Sequence, residues 1–102
     1  MYLVELFLPL RDNDGRAFPQ AEFEAVEREL TERFGGVTAY PRAPAAGLWK
    51  ASPRETVADD LLVCEVMVKE LDPAWWKAYR ERLEHVFQQE RIIVRAREME
   101  LL

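Results

Sequence analysis

The sequence of 102 residues has little of several things that would mark a chemistry, beginning with one cysteine, Cys64, and one histidine, His85. A lone thiol closes no intrachain disulfide and assembles no thiolate metal site within one chain, so no metal is expected. Sparse cysteine also fits a reducing compartment, and the chain is read as cytoplasmic. Cations are outnumbered: 14 Lys and Arg stand against 19 Asp and Glu, a net charge of −5. That balance argues against a phosphate backbone or an anionic lipid surface as the main partner, so neither nucleic acid nor membrane is expected. No apolar run approaches the ~20 residues that cross a bilayer. The chain enters a strand at Tyr2 without the basic, apolar and cleavage regions of a leader. Missing too are a Ser, His and Asp set, an H-E-x-x-H and a phosphate-binding glycine loop. The standard hydrolase, zincin and nucleotide templates therefore lack their parts, and no cofactor is expected.

What the chain does contain is one supersecondary unit written twice. Tyr2 to Pro9 alternates like a strand, Pro19 to Phe34 has helical spacing, and Val37 to Tyr40 is strand-like again. Leu61 to Lys69, Pro73 to Phe87 and Arg91 to Arg97 repeat that order. With 49% hydrophobic and 32% charged residues, the composition suits one globular domain over residues 1–102. The expected fold is α+β and ferredoxin-like, βαββαβ, an antiparallel four-stranded sheet with two helices on one face. A strand order of 4-1-3-2 places the first and third strands at the centre, where they are expected as parallel neighbours.

Local signals support these elements. Asp14-Gly15 marks a turn, and Asp12-Asn13-Asp14-Gly15 is no calcium loop, because the glycine comes too early and the closing glutamate is absent. Pro19 suits the first helical position, Phe23, Val26, Leu30 and Phe34 form the apolar stripe, and Gly35-Gly36 ends the helix. Asp72-Pro73 opens the second helix, whose buried stripe is expected to be Trp76, Tyr79, Leu83, Val86 and Phe87, with Trp75 left at an edge. His85 falls off that stripe and reads as solvated. Leu61 to Val68 is apolar on both faces except at Glu65, as a central strand should be. Cys64 falls on its core face as an inert small apolar residue. From Pro41 to Ala58, three prolines resist a central strand, and Gly47-Leu48-Trp49 is expected as a short edge segment or flap. Trp49 has no periodic pattern to explain it and is a candidate to close one mouth of a cavity or to cap the core.

The helix-free face of such a sheet holds Leu3, Glu5, Phe7, Val63, Glu65, Met67, Ile93, Arg95 and Arg97. Apolar area on that scale rarely faces water in a monomer, so a second copy is expected to cover it, sheet against sheet, as a homodimeric α+β barrel. Neighbouring strands lie about 4.8 Å apart, so Glu5 and Glu65 in register repel by about 3 kcal/mol at an effective dielectric of 20. Arg95 or Arg97, a ligand cation, or a retained proton must offset that. The residues thus suggest an ion-pair network in a dimer interface or a small-molecule pocket. In an alternative reading the protein is a small cofactor-independent enzyme. Glu5 or Glu65 then transfers a proton with a raised pKa, Arg95 or Arg97 holds a small anionic substrate, and Tyr40 or Trp49 lines the wall. A third reading uses the edge of the second strand to bind a different protein.

Phe34-Gly35-Gly36-Val37-Thr38, Gly47-Leu48-Trp49, Arg54-Glu55 and Phe87-Gln88-Gln89-Glu90-Arg91-Ile92 together resemble a family of uncharacterised bacterial proteins known as a domain of unknown function. The resemblance spans Phe34 to Val94. It implies a small α+β domain and no particular activity, and points to Trp49, Glu55, Gln89 and Glu90 as residues to test. Members often carry an exported leader, which is not seen here. Glu55 can equally pair with a surface arginine, and Gln89 can cap the carbonyl end of the second helix.

Overall fold

Runs that are apolar on both faces, broken only at Glu5 and Glu65, make Tyr2–Pro9 (β1) and Leu61–Val68 (β3) the two longest strands, and they pair at the centre of one sheet. The computed structural model describes residues 1–42 and 60–102. Thr38–Arg42 (β2) and Val94–Glu98 (β4) are the edges, giving the order β2-β3-β1-β4. All pairings are antiparallel, so the expected sheet order is found but β1 and β3 do not run parallel. The reason is connectivity. The helical crossover returns the chain to run β2 along β1, and β3 then pairs antiparallel with β2, which turns it against β1.

Gln20–Phe34 (α1) and Pro73–Val86 (α2) bury their stripes on one face of this sheet. Phe23, Val26, Leu30, Trp76, Tyr79 and Leu83 pack with Val4, Leu6, Leu8, Cys64, Val66 and Val68 in a single core. Each large side chain removed from water there contributes roughly 1.5–3 kcal/mol. Pro19 caps α1 from outside, one position earlier than expected. The helix stops at Gly35, whose φ of 86° is left-handed and whose N–H donates to the Thr31 carbonyl at 2.8 Å. At α2, the Asp72 carboxylate accepts from the Trp75 N–H at 3.2 Å.

Three expectations about α2 and β4 change. Val86 is exposed, and Phe87, four residues beyond Leu83, takes the buried position against Phe18 and Phe23. Trp75 is half-buried and stacks on Tyr79 at 4.9 Å, while Phe34 stacks on Trp76 at 5.1 Å. β4 starts at Val94 and not Arg91, because the Ile92 N–H is claimed by the Glu84 carboxylate at 2.9 Å while its side chain enters the core. Cys64 and His85 lie as expected, one buried and one exposed. Burial pushes the Cys64 thiol up to about 12, with a smaller contribution from Glu27. Asp12 closes a plain turn, its carboxylate accepting the N–H groups of Asp14 and Arg16 at 2.9 Å each.

Candidate functional site

Successive strand residues point to opposite faces, so the partners of the core residues on β1 and β3 fall on the side without helices. Register now aligns them. Glu5 lies opposite Glu65 on one side and Arg95 on the other, and Thr38 lies opposite Glu65, giving the row Thr38, Glu65, Glu5, Arg95 across the whole sheet. The next row is Tyr40, Val63 and Phe7, and the row on the other side is Met67, Leu3 and Arg97. All nine residues assigned to this face from periodicity are on it.

The two carboxylates are direct cross-strand neighbours, yet each has a different partner. Glu5 is only 7% exposed, and Arg95 Nε donates to its Oε1 at 3.2 Å. Glu65 is half-buried, and its Oε2 accepts from the Tyr40 hydroxyl at 3.3 Å. Partial loss of hydration and then the adjacent Glu65 charge raise the Tyr40 hydroxyl above its usual range. Of the two arginines considered for Glu5, the fold selects Arg95. Arg97 sits one row away opposite Leu3, and makes no ion pair among the described residues.

The face is less bare than the alternation suggests. Val63 and Phe7 are buried, and two guanidiniums lie over the Phe7 ring, Arg95 at 4.8 Å and Arg42 at 5.8 Å from its centroid. Apolar exposure is concentrated at Met67 (53%) and Ile93 (54%). A cavity of about 280 Å³ opens beside Phe7, with Arg42, Arg91, Arg95, Gln89 and Ile93 in its lining. At the opposite end, a second cavity of about 410 Å³ is formed by Leu3, Glu65, Met67 and Thr38 with the Gly35-Gly36 turn.

The structure therefore brings Glu5, Glu65, Arg95 and Tyr40 into one row and its neighbour, leaves Arg97 at the margin, and sets Gln89 in the cavity wall. Gln89 also donates from Nε2 to the Phe87 carbonyl at 3.0 Å, so it caps α2 as well. Trp49 and Glu55 lie outside the described residues. Arg42 and Arg91 were not singled out from the sequence. The signal for them is parity: Arg42 is two residues beyond Tyr40, and Arg91 two before Ile93, but a proline at 41 reads as a strand end and β4 starts only at Val94. Among the described residues, no group of three or more His, Cys, Asp and Glu is placed to hold a metal ion. No described helix is long and apolar enough to cross a membrane.

No protein-family model matches the chain, and no curated protein matches it significantly. Among solved structures, it is similar to a phage SAM lyase in complex with S-methyl-5′-thioadenosine, with 13% identity and a TM-score of 0.61, over 95% of this chain and 80% of that one. A likeness at that identity shows the fold alone, and it agrees with the α+β plan described above.

Proposed function

We propose that this chain is a small cytoplasmic binding module that homodimerises through its open sheet face. The observation that carries this is a charged row, with Glu5 buried at its centre, set in apolar surface. Glu5 and Arg95 pair beside Glu65 and Tyr40, while Leu3, Met67 and Ile93 surround them with apolar side chains, two of them more than half exposed. Carboxylates and guanidiniums together on one face suit a twofold interface, in which the same patch must complement itself. The phage SAM lyase, solved with a small ligand, is compatible with use of such a fold as a small binding module. Sedimentation velocity is the test. At tens of micromolar a dimer is expected, and Met67→Lys or Ile93→Lys should yield a monomer with an unchanged far-UV spectrum. A wild-type chain that sediments as a monomer at that concentration overturns the proposal.

A second reading, a small proton-transfer enzyme acting on an anionic substrate, is favoured by the Tyr40 to Glu65 hydrogen bond. A phenol and a carboxylate sharing one proton beside a guanidinium can pass that proton to or from a bound anion. Turnover in a screen of small carboxylic acids should then be lost in Glu65→Gln and in Tyr40→Phe with folding intact. Turnover unchanged in both variants removes this reading.

A further inference from the structure

We infer that the cavity beside Phe7 is a binding site for a small organic oxyanion, an apolar ring or short chain carrying a carboxylate or a phosphate. The inference does not depend on dimerisation. It begins with charge. The chain has five more acidic than basic side chains, yet among the described residues this cavity is lined by three arginines and by no carboxylate. Guanidinium forks match the planar geometry of carboxylate and phosphate, forming two parallel hydrogen bonds where an ammonium forms one.

The three arginines divide the work. Arg95 is already engaged with Glu5, whose carboxylate is buried, so that charge is largely offset and Arg95 serves as wall. Arg42 and Arg91, which pair with no carboxylate among the described residues, add two further positive charges. Arg42 and Arg95 are also held by attraction to the Phe7 ring, so their guanidiniums are placed before any ligand arrives. Preorganised groups bind better because less side-chain freedom is lost on association. Apart from Gln89, the rest of the described lining is apolar, with Pro9, Leu61 and the half-exposed Ile93 beside the Phe7 ring. A volume of about 280 Å³ lies just under the roughly 300–1,000 Å³ range of drug-sized ligand pockets, which suits one ring with one anionic group and is too small for a nucleotide.

The test is titration of the full-length chain, followed by amide chemical shifts, with benzoate, phenyl phosphate, benzamide and inorganic phosphate as probes. Benzoate or phenyl phosphate should saturate with shifts centred on Phe7 and Ile93, and the tighter of the two identifies the oxyanion. Benzamide and inorganic phosphate, each lacking half of the recognised chemistry, should bind about tenfold more weakly or worse, as should either aromatic anion to Arg42→Gln and Arg91→Gln. Both side chains are exposed, so melting temperatures should hold. Equal affinity for benzamide, affinity untouched in both arginine variants, or no saturable shift near Phe7 overturns the inference. A dimer that binds none of the probes sinks this site alone, and a monomer that binds them sinks only the dimer.

Discussion

Replacing Arg95 by Met should expose how the fold keeps a carboxylate nearly dry at the centre of its sheet. Glu5 and Glu65 are direct cross-strand partners, with Cβ atoms about 5 Å apart, and at an effective dielectric of 20 two charges at that separation repel by about 3 kcal/mol. The Arg95 guanidinium, 3.2 Å from Glu5, offsets this with an attraction of about 5 kcal/mol at the same dielectric. Arg95 is 60% exposed, however, and solvent screens both terms, so the net loss in Arg95→Met should be about 1–2 kcal/mol. The Met side chain keeps much of the stem that covers Phe7, so the change is chiefly in charge. Urea unfolding at fixed protomer concentration, near neutral pH and low salt, measures it. Glu5→Gln added to Arg95→Met should restore most of the loss, giving a coupling energy of about 1–2 kcal/mol. Glu65→Gln alone should be neutral or slightly stabilising, since it removes the repulsion and still accepts from Tyr40. A coupling energy near zero, or a Glu65→Gln variant as unstable as Arg95→Met, would refute the reasoning.

Leu6→Ala, at a fully buried site of the central strand, should cost about 3–5 kcal/mol in the same assay. Gly35→Ala should lower stability by about 1 kcal/mol through its φ of 86° alone, because an added methyl group meets no atom within 4 Å. Cys64 should resist a disulfide reagent near pH 8 in the native protein and react on addition of urea. Its thiol rises in the fold from 9.0 to about 12, so the neutral form is favoured. The resulting stability is full below pH 9.0 and is lost as pH climbs toward about 12. Comparison of wild type with Cys64→Ala over that window isolates the effect.

Much of the architecture could be read from periodicity, and the departures have local causes. Alternation in Tyr2–Pro9 and Leu61–Val68 identified the core faces, and the Phe23, Val26, Leu30 spacing identified the buried side of α1. Val86 and Phe87 both fit the stripe of α2, and only packing against Phe18 and Phe23 chose Phe87. β4 starts later than alternation implies because a side chain eight residues back, Glu84, takes the Ile92 amide that a strand ladder would have used. Arg42 is not legible as a strand residue because Pro41 signals a strand end, whereas β2 is an edge that tolerates it.

By itself, the order of residues determined that two strand–helix–strand units share a sheet, and which side chains lie on the helix-free face. Alternation settles parity, because each step along a strand reverses the side. It cannot settle alignment, since a shift of two residues preserves every face. Only the folded chain decided that Glu5 meets Glu65 and Arg95 in one row, and that Arg42 and Arg91, distant in sequence, line one cavity with Phe7. Those meetings depend on how far each strand slides against its neighbour, a choice made jointly by the ladder, the two helices and the core beneath them.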